Sequence, residues 1–379
     1  MKYNGILRIG FKLLVNDKSK FFALLIGITF SVFLMMQMTA MFAGILNRAY
    51  STVTNIGASM WVMDPGVNTP TSAIPMPDYV LDAVRSMDGV KYAVPLFIGG
   101  ALVKLNNGNY QGVNVVGLDD QSLFGRPELE QGNIQDIYAD NTFIVVHDAE
   151  FKKLESPIIG TSFELNDHRG TIVGIAKVAS NGLNGVPTLY TTYSRATEYL
   201  PTTRFTISYI LVQPKNNASV ASIKAQVTKL GYLAMTKDEF NKATANYYTY
   251  KTGIGTNILL MVVISFIIGL SISGQTFYTF ILENLEKFGA LKAIGAKGRE
   301  LIYMILFMAI VTALIGYGLG IGLVTLMISI ARTNPNYAAI ITFQNLGMAL
   351  VMVIIIAGIS SYIGIRKVLK IEPFDIFRG

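Results

Sequence analysis

The side chains that could carry acid–base or nucleophilic chemistry are few in this chain. His147 and Asp148 are adjacent after a predicted strand, and a histidine beside a carboxylate can transfer protons in catalysis. No serine motif of the G-x-S-x-G type accompanies them, so we interpret the pair as a polar strand end. The only other histidine is His168, and there is no cysteine. We therefore predict no metal site, no prosthetic group and no catalytic activity for this chain.

The composition indicates a membrane protein. Of the 379 residues, 51% are hydrophobic and 15% are charged, whereas soluble domains carry about 25% charged residues. Four stretches without Asp, Glu, Lys or Arg exceed the roughly 20 residues that cross a bilayer, and they are 21–47, 252–282, 301–331 and 333–365. The predicted spans contain no ionisable side chain. That absence argues against an ion-coupled carrier and indicates that the energy comes from elsewhere.

The basic residues predict the orientation of these spans. The N-terminal segment, the loop between the second and third spans and the C-terminal tail together contain 13 basic and 6 acidic residues. Their excess equals the net charge of +7 of the whole chain. The positive-inside rule therefore predicts a multi-pass membrane protein with both termini in the cytoplasm. In a bacterium, the membrane would be the inner (cell) membrane. Because this distribution explains the basic balance, we expect no nucleic-acid partner.

The predicted fold class is membrane α-helical, with four transmembrane helices and a large α/β (α+β) extracytoplasmic, or periplasmic, domain inserted between helices 1 and 2. Within that domain, strand and turn patterns predict an inserted subdomain at about 119–200. The predicted segments are a cytoplasmic amphipathic N-terminus at 1–20, the first span at 21–44, the extracytoplasmic domain at 45–256, the second span at 257–282, a cytoplasmic loop at 283–300, the third span at 301–330, a short external loop at 331–345, the fourth span at 346–365 and a cytoplasmic tail at 366–379.

The N-terminal segment at 6–15 mixes apolar residues with Arg8 and Lys12. This pattern is typical of a short amphipathic helix at the cytoplasmic interface. Two interpretations are open. The helix could brace the first span, or it could be a basic tail that only sets topology.

Small residues recur in the third predicted span. Gly316, Gly318, Gly320 and Gly322 form two overlapping G-x-x-x-G spacings. Such faces allow helices to approach closely. They predict either an intersubunit or sliding interface or ordinary packing within one chain.

The predicted cytoplasmic loop contains a short helix. Residues 286–294 have helical character, and Gly295 is expected to end the helix. Its charged residues and its small residues suit docking into a groove of another protein.

This loop resembles the "R-E-x-A-x-L-K-A-I-G-A" signature of FtsX/MacB-like ABC transporter permeases, the type VII exporters. In that family the segment is the coupling helix that contacts a cytoplasmic ATPase. The resemblance implies that the ATPase-coupling residues are Glu286, Lys287, Phe288, Gly289, Ala290, Leu291, Lys292, Ala293, Ile294, Gly295 and Ala296. Leu285 replaces the usual arginine, and Lys287-Phe288 follows Glu286, so the match is incomplete. The tail at 366–378 and the external segments at 60–66 and 143–148 resemble the family as well, the latter two its DevC-like subgroup.

The resemblance implies the partners. The chain has no G-x-x-x-x-G-K-[ST] phosphate loop, so ATP and Mg²⁺ would bind to a separate ABC ATPase subunit present in two copies. The permease would form a homodimer, with a periplasmic membrane-fusion adaptor and an outer-membrane channel. ATP-driven mechanotransmission to the periplasmic domain would drive export of an amphiphilic substrate. The alternatives are an FtsX-like regulator of a cell-wall hydrolase and a haem-efflux or lipoprotein-release permease.

Overall fold

The computed structural model describes residues 2–178, 185–200, 205–331 and 337–370, and its contacts divide the chain into a helical unit and an α/β unit. In chain order the helices are α1 (Lys2–Asn16), α2 (Lys18–Ala49), α3 (Ser51–Ile56), α4 (Asp78–Arg85), α5 (Tyr193–Tyr199), α6 (Ser219–Lys229), α7 (Lys237–Asn246), α8 (Ile254–Glu283), α9 (Leu285–Ala293), α10 (Gly298–Ala331) and α11 (Phe343–Leu369). The strands are β1 (Met60–Met63), β2 (Val90–Lys104), β3 (Tyr110–Leu118), β4 (Leu129–Gly132), β5 (Thr142–Val146), β6 (Ser162–Leu165), β7 (His168–Ala176), β8 (Thr188–Thr192), β9 (Tyr209–Pro214) and β10 (Leu233–Thr236).

Four helices of the described chain, α2, α8, α10 and α11, are long and apolar enough to cross a membrane. Their most apolar 18-residue windows have a mean hydropathy of 2.1 to 2.4. A helix satisfies all its internal backbone groups, which is why such sequences are stable in lipid as helices. The α/β domain lies between α2 and α8 in the sequence. The predicted fold class is therefore confirmed.

The α/β unit is built on a ten-stranded sheet in the order β10-β1-β9-β2-β3-β8-β5-β7-β4, with β6 paired to β2 and β7. Both faces of β1 are buried. Trp61 and Met63 pack into one core cluster, which includes Phe240 of α7. Met60 and Val62 point to the other face, where their cluster contains side chains of α4 and α6. Helices on one face and α7 on the other thus enclose this part of the sheet.

The strand β2 is longer than the sequence predicts. The apolar patterns at 91–97 and 101–105 predict two separate strands, but the structure has a single strand from Val90 to Lys104. Gly99 and Gly100 are paired in register with β3, so the ladder continues through them. Because glycine has no side chain, Gly99 and Gly100 interrupt the hydrophobic pattern of the sequence but not the backbone hydrogen bonds of the strand.

The β2–β3 hairpin pairs with a strand of the segment at 119–200. Strand β3 pairs in parallel with β8, from Asn114 opposite Thr188 to Leu118 opposite Thr192. A core cluster joins side chains of the hairpin to those of β5, β7 and α5. The segment at 119–200 therefore shares its sheet and one core cluster with the hairpin that precedes it. Pairing between strands so far apart in the sequence leaves no local signal.

Candidate functional site

Helix α9 contains most of the predicted ATPase-coupling segment. It follows Asn284, which is 4% exposed and donates a hydrogen bond from Nδ2 to the Phe280 carbonyl oxygen at 2.8 Å. Within the segment, Phe288 and Gly289 are buried, Leu291, Lys292 and Ala296 are half-buried, and Glu286, Lys287, Ala290, Ala293, Ile294 and Gly295 are exposed. One face of the helix is therefore anchored in the helical unit, and the other faces outward.

The end of α9 is defined by a glycine in the left-handed backbone conformation. Gly295 has a φ of +101°, which glycine adopts without the steric penalty of a Cβ. Its N–H donates to the Lys292 carbonyl at 3.1 Å, and the Ala296 N–H donates to the Leu291 carbonyl at 3.0 Å. These two bonds form a Schellman motif. The predicted helix end at Gly295 is confirmed.

The outward face of α9 is apolar at its end and charged at its start. Glu286, Ala290 and Ile294 follow one another at a spacing of four residues, which places them on one side of the helix. Ile294, at the end of this line of residues, is 85% exposed. On the other side, Lys292 Nζ donates to the Leu369 carbonyl of α11 at 3.2 Å. The outward face of α9 thus combines charged groups at its start with an exposed aliphatic group at its end.

An ion-pair cluster connects α2 and α8 next to the start of α9. Lys20 of α2 contacts the carboxylate of Glu283, the last residue of α8, and its Nζ lies 3.4 Å from Asp17 Oδ2. Because the Lys20 side chain is only 20% exposed, water screens these contacts incompletely. In the sequence these three residues indicate only topology, because Lys20 and Glu283 are more than 250 positions apart.

The four glycines of α10 lie on two different faces. A Cβ at Gly316 or Gly320 would lie 2.7 or 2.6 Å from side-chain carbons of α2, so the two helices pack directly at these positions. A Cβ at Gly318 or Gly322 would have no neighbouring atom of the described residues within 4 Å, and both glycines line an open apolar groove between α2 and α10. The first pair serves packing within the chain. The second pair is free to contact lipid or another protein.

Small polar residues connect α8 to α2 and α11. Ser31 Oγ of α2 donates to the Ser265 carbonyl of α8 at 2.9 Å, and Gly269 leaves no room for a side chain against Ser31. Ser273 and Ser360 are at most 2% exposed, and within the described residues their hydroxyl groups have no hydrogen-bond partner. Small residues of this kind allow α8 to approach its neighbouring helices closely.

In the α/β unit, a buried carboxylate binds the end of α2. Glu150 is 1% exposed, and its carboxylate lies 3.9 Å from Arg48 Nη1 and 2.5 Å from Lys153 Nζ. Lys153 Nζ also donates to the Gly185 carbonyl at 2.5 Å. Arg48 is the first charged residue after the long apolar run of α2. This position is the only feature of the sequence that draws attention to Arg48. The sequence could not link Glu150 to Arg48, because about 100 residues separate the two.

The two histidines do not come together. His147 Nδ1 lies 2.7 Å from Glu130 Oε2 at the surface, and the His168 ring stacks on Tyr199 with 4.4 Å between the ring centroids. Among the residues that the structure describes, no group of three or more His, Asp or Glu side chains could hold a metal ion.

The family model described as the MacB-like periplasmic core domain matches residues 21–230, and the one described as FtsX-like permease C-terminal matches residues 257–373. An uncharacterized ABC transporter permease of Mycobacterium tuberculosis is 25% identical over 354 residues, which cover 91% of this chain and 93% of the relative. A candidate hemin transport system permease protein of Staphylococcus haemolyticus is 26% identical over 121 residues, 32% of this chain and 34% of that protein. The crystal structure of the periplasmic region of MacB from Actinobacillus actinomycetemcomitans aligns with 51% of this chain and 96% of its own length, with a TM-score of 0.39 and 15% identity.

Proposed function

Because the chain belongs to the family of ABC transporter permeases that join a MacB-like periplasmic core domain to an FtsX-like permease domain, we propose that it is the membrane subunit of an ATP-driven exporter. An ABC permease works with an ABC ATPase. We infer that two copies of a separate ATPase, which bind ATP and Mg²⁺, drive a homodimer of this chain. The chain itself would transmit motion and catalyse no reaction.

The observation that carries this proposal is the outward face of α9. Ile294 is 85% exposed at a helix end that the Schellman motif at Gly295 keeps in place. An aliphatic side chain in such a position is stabilised when a partner covers it. Glu286 and Lys287 supply charge at the start of the same helix, which favours a partner groove with a polar rim.

Motion of α9 would reach the α/β unit along α2. The contact between Lys20 and Glu283 couples α2 to α8 next to α9, and α2 continues as one helix to Ala49. Arg48 then holds the end of α2 to Glu150. The glycine and serine contacts of α8 and α10 favour sliding of the helices because few directional bonds must break.

The charge distribution favours a position of α1, α9 and both termini on the cytoplasmic side of the inner membrane. The α/β unit would then be periplasmic, where an adaptor and an outer-membrane channel could bind it. Spans without ionisable side chains favour an amphiphilic substrate over an ion. A haem-efflux role is a second candidate, which the similarity over 121 residues to the candidate hemin permease favours.

Purification of the tagged full chain from its native membrane, after chemical crosslinking in a mild detergent, tests the proposal. Mass spectrometry is expected to find an ABC ATPase with the unchanged chain and about tenfold less of it with Ile294→Glu, because a charge placed in an apolar contact is costly. Ile158→Glu is the matched control, since Ile158 is 71% exposed in the α/β unit. Equal ATPase recovery with Ile294→Glu and Ile158→Glu would contradict the proposed role of α9.

A further inference from the structure

The short helix α1 uses only one face for packing in the helical unit. A Cβ at Gly10 would lie 2.8 Å from Met304 Cγ, so α1 approaches α10 closely at this point. Leu14, one helical turn later, is fully buried. This anchored face leaves the other side of α1 open.

The open side of α1 is apolar. Ile9 and Phe11 are each 45% exposed and Val15 is 37% exposed. All three line a groove of about 630 Å³ that lies between α1 and the start of α9. In a bilayer interface, exposed side chains of this kind are covered by acyl chains.

Three lysines line the same groove. Lys12 belongs to α1, Lys18 starts α2 and Lys287 belongs to α9. Within the described residues none of the three forms a salt bridge, whereas the neighbouring Lys20 contacts two carboxylates. No Asp or Glu of the described residues lines the groove. Its positive charge is therefore not neutralised by the lining side chains.

We propose that this groove binds an anionic phospholipid of the cytoplasmic leaflet. Lys12, Lys18 and Lys287 hold the phosphate, and the acyl chains cover the apolar side chains of α1. A free phosphate would leave Ile9 and Phe11 uncovered, and a zwitterionic lipid would bring no net negative charge. Basic pockets beside membrane helices on the cytoplasmic side bind anionic head groups by the same electrostatics.

The site has a regulatory consequence. Lys287 is part of the helix that we propose to dock to the ATPase, so a bound lipid would fix the position of that helix. This consequence rests on the proposed function. The lipid binding itself does not, and it is measured without the ATPase.

Native mass spectrometry of the purified full chain tests the site, with dioleoylphosphatidylglycerol and dioleoylphosphatidylcholine as probes. We expect the unchanged chain to bind dioleoylphosphatidylglycerol at least about tenfold more tightly than dioleoylphosphatidylcholine, because each lysine near the head group attracts the anionic lipid. The triple variant Lys12→Gln, Lys18→Gln, Lys287→Gln is expected to lose this preference. Phe11→Ser, which keeps all charges, is expected to weaken the binding of both lipids to a similar extent.

The control removes the same charge from the same predicted side of the membrane, with the exposed residues changed as Lys297→Gln, Arg299→Gln and Lys367→Gln. It is expected to keep the preference. An equal loss in the control, or no preference in the unchanged chain, would overturn the proposal. Displacement of the lipid by inorganic phosphate at equal concentration would also overturn it, because a free anion would then suffice.

Discussion

The contacts inside the α/β unit differ in kind from those inside the helical unit. In the α/β unit, large side chains interlock: Trp61 lies 5.3 Å from Tyr209 and 5.7 Å from Phe240, measured between ring centroids. In the helical unit, α8 and α10 contact α2 through Gly269, Gly320 and other small residues. Interlocked aromatic contacts resist displacement, whereas smooth contacts permit helices to slide. The side chains of the α/β unit are therefore fixed more firmly by their neighbours than the helices of the helical unit are.

The largest expected effect is on the aromatic core. Phe240→Ala removes a side chain that is 1% exposed and is expected to destabilise the α/β unit by about 3–5 kcal/mol. Trp61 is the only tryptophan of the chain, so its fluorescence reports unfolding of this core in denaturant. Tyr79→Ala is the control, with Tyr79 61% exposed and an expected change within about 0.5 kcal/mol. A similar loss in both variants would show that the core does not dominate stability.

A smaller effect is expected in the glycine contacts of α10. Gly320→Leu forces a side chain against Val32 of α2 and is expected to cost about 1–3 kcal/mol. Gly322→Leu makes the same change on the open face of the same helix and is expected to be close to neutral. Thermal unfolding of the full chain in detergent measures both. Equal destabilisation by the two variants would contradict the division of the glycines into two faces.

The smallest effect is a pH dependence at the start of α7. Lys224, with Nζ 2.6 Å from Glu239 Oε1, and the Thr236 N–H hold the pKa of Glu239 below its ordinary value. As the pH falls, the Glu239 carboxylate is therefore protonated at a higher pH in the unfolded chain than in the folded chain. The stabilisation is present above pH of about 4.3 and is lost as the pH falls through the lowered pKa. Glu239→Gln is expected to remove this pH dependence.

The partner of Glu239 in the capping box provides the control for that experiment. Thr236 Oγ1 accepts a hydrogen bond from the Glu239 N–H at 3.4 Å. Thr236→Ala is expected to cost about 1 kcal/mol while it keeps the carboxylate contact to Lys224. Denaturant unfolding at pH 3 to 7 separates the two variants. An unchanged acid dependence in Glu239→Gln would assign it to other carboxylates.

The sequence predicted the features that depend on local patterns. Long apolar runs predicted four helices, and Gly295 predicted the end of α9, because hydropathy and backbone freedom act over a few residues. The contacts of Arg48 with Glu150 and of Lys20 with Glu283 could not be predicted, because each joins residues far apart in the chain. The glycine spacing in α10 was visible, but only the position of α2 decides that Gly316 and Gly320 are packed while Gly318 and Gly322 are open.

The proposed contact between the outward face of α9 and an ABC ATPase can be tested directly, because the chain has no cysteine. Ile294→Cys introduces a single thiol at the exposed helix end, and Ile158→Cys introduces one at a similarly exposed position of the α/β unit. Both would be treated with a bifunctional maleimide–amine crosslinker in native membranes, and the products identified by mass spectrometry. The account predicts a crosslink to an ABC ATPase from Ile294→Cys and none from Ile158→Cys. No ATPase crosslink from Ile294→Cys, or the same crosslink from Ile158→Cys, would contradict it.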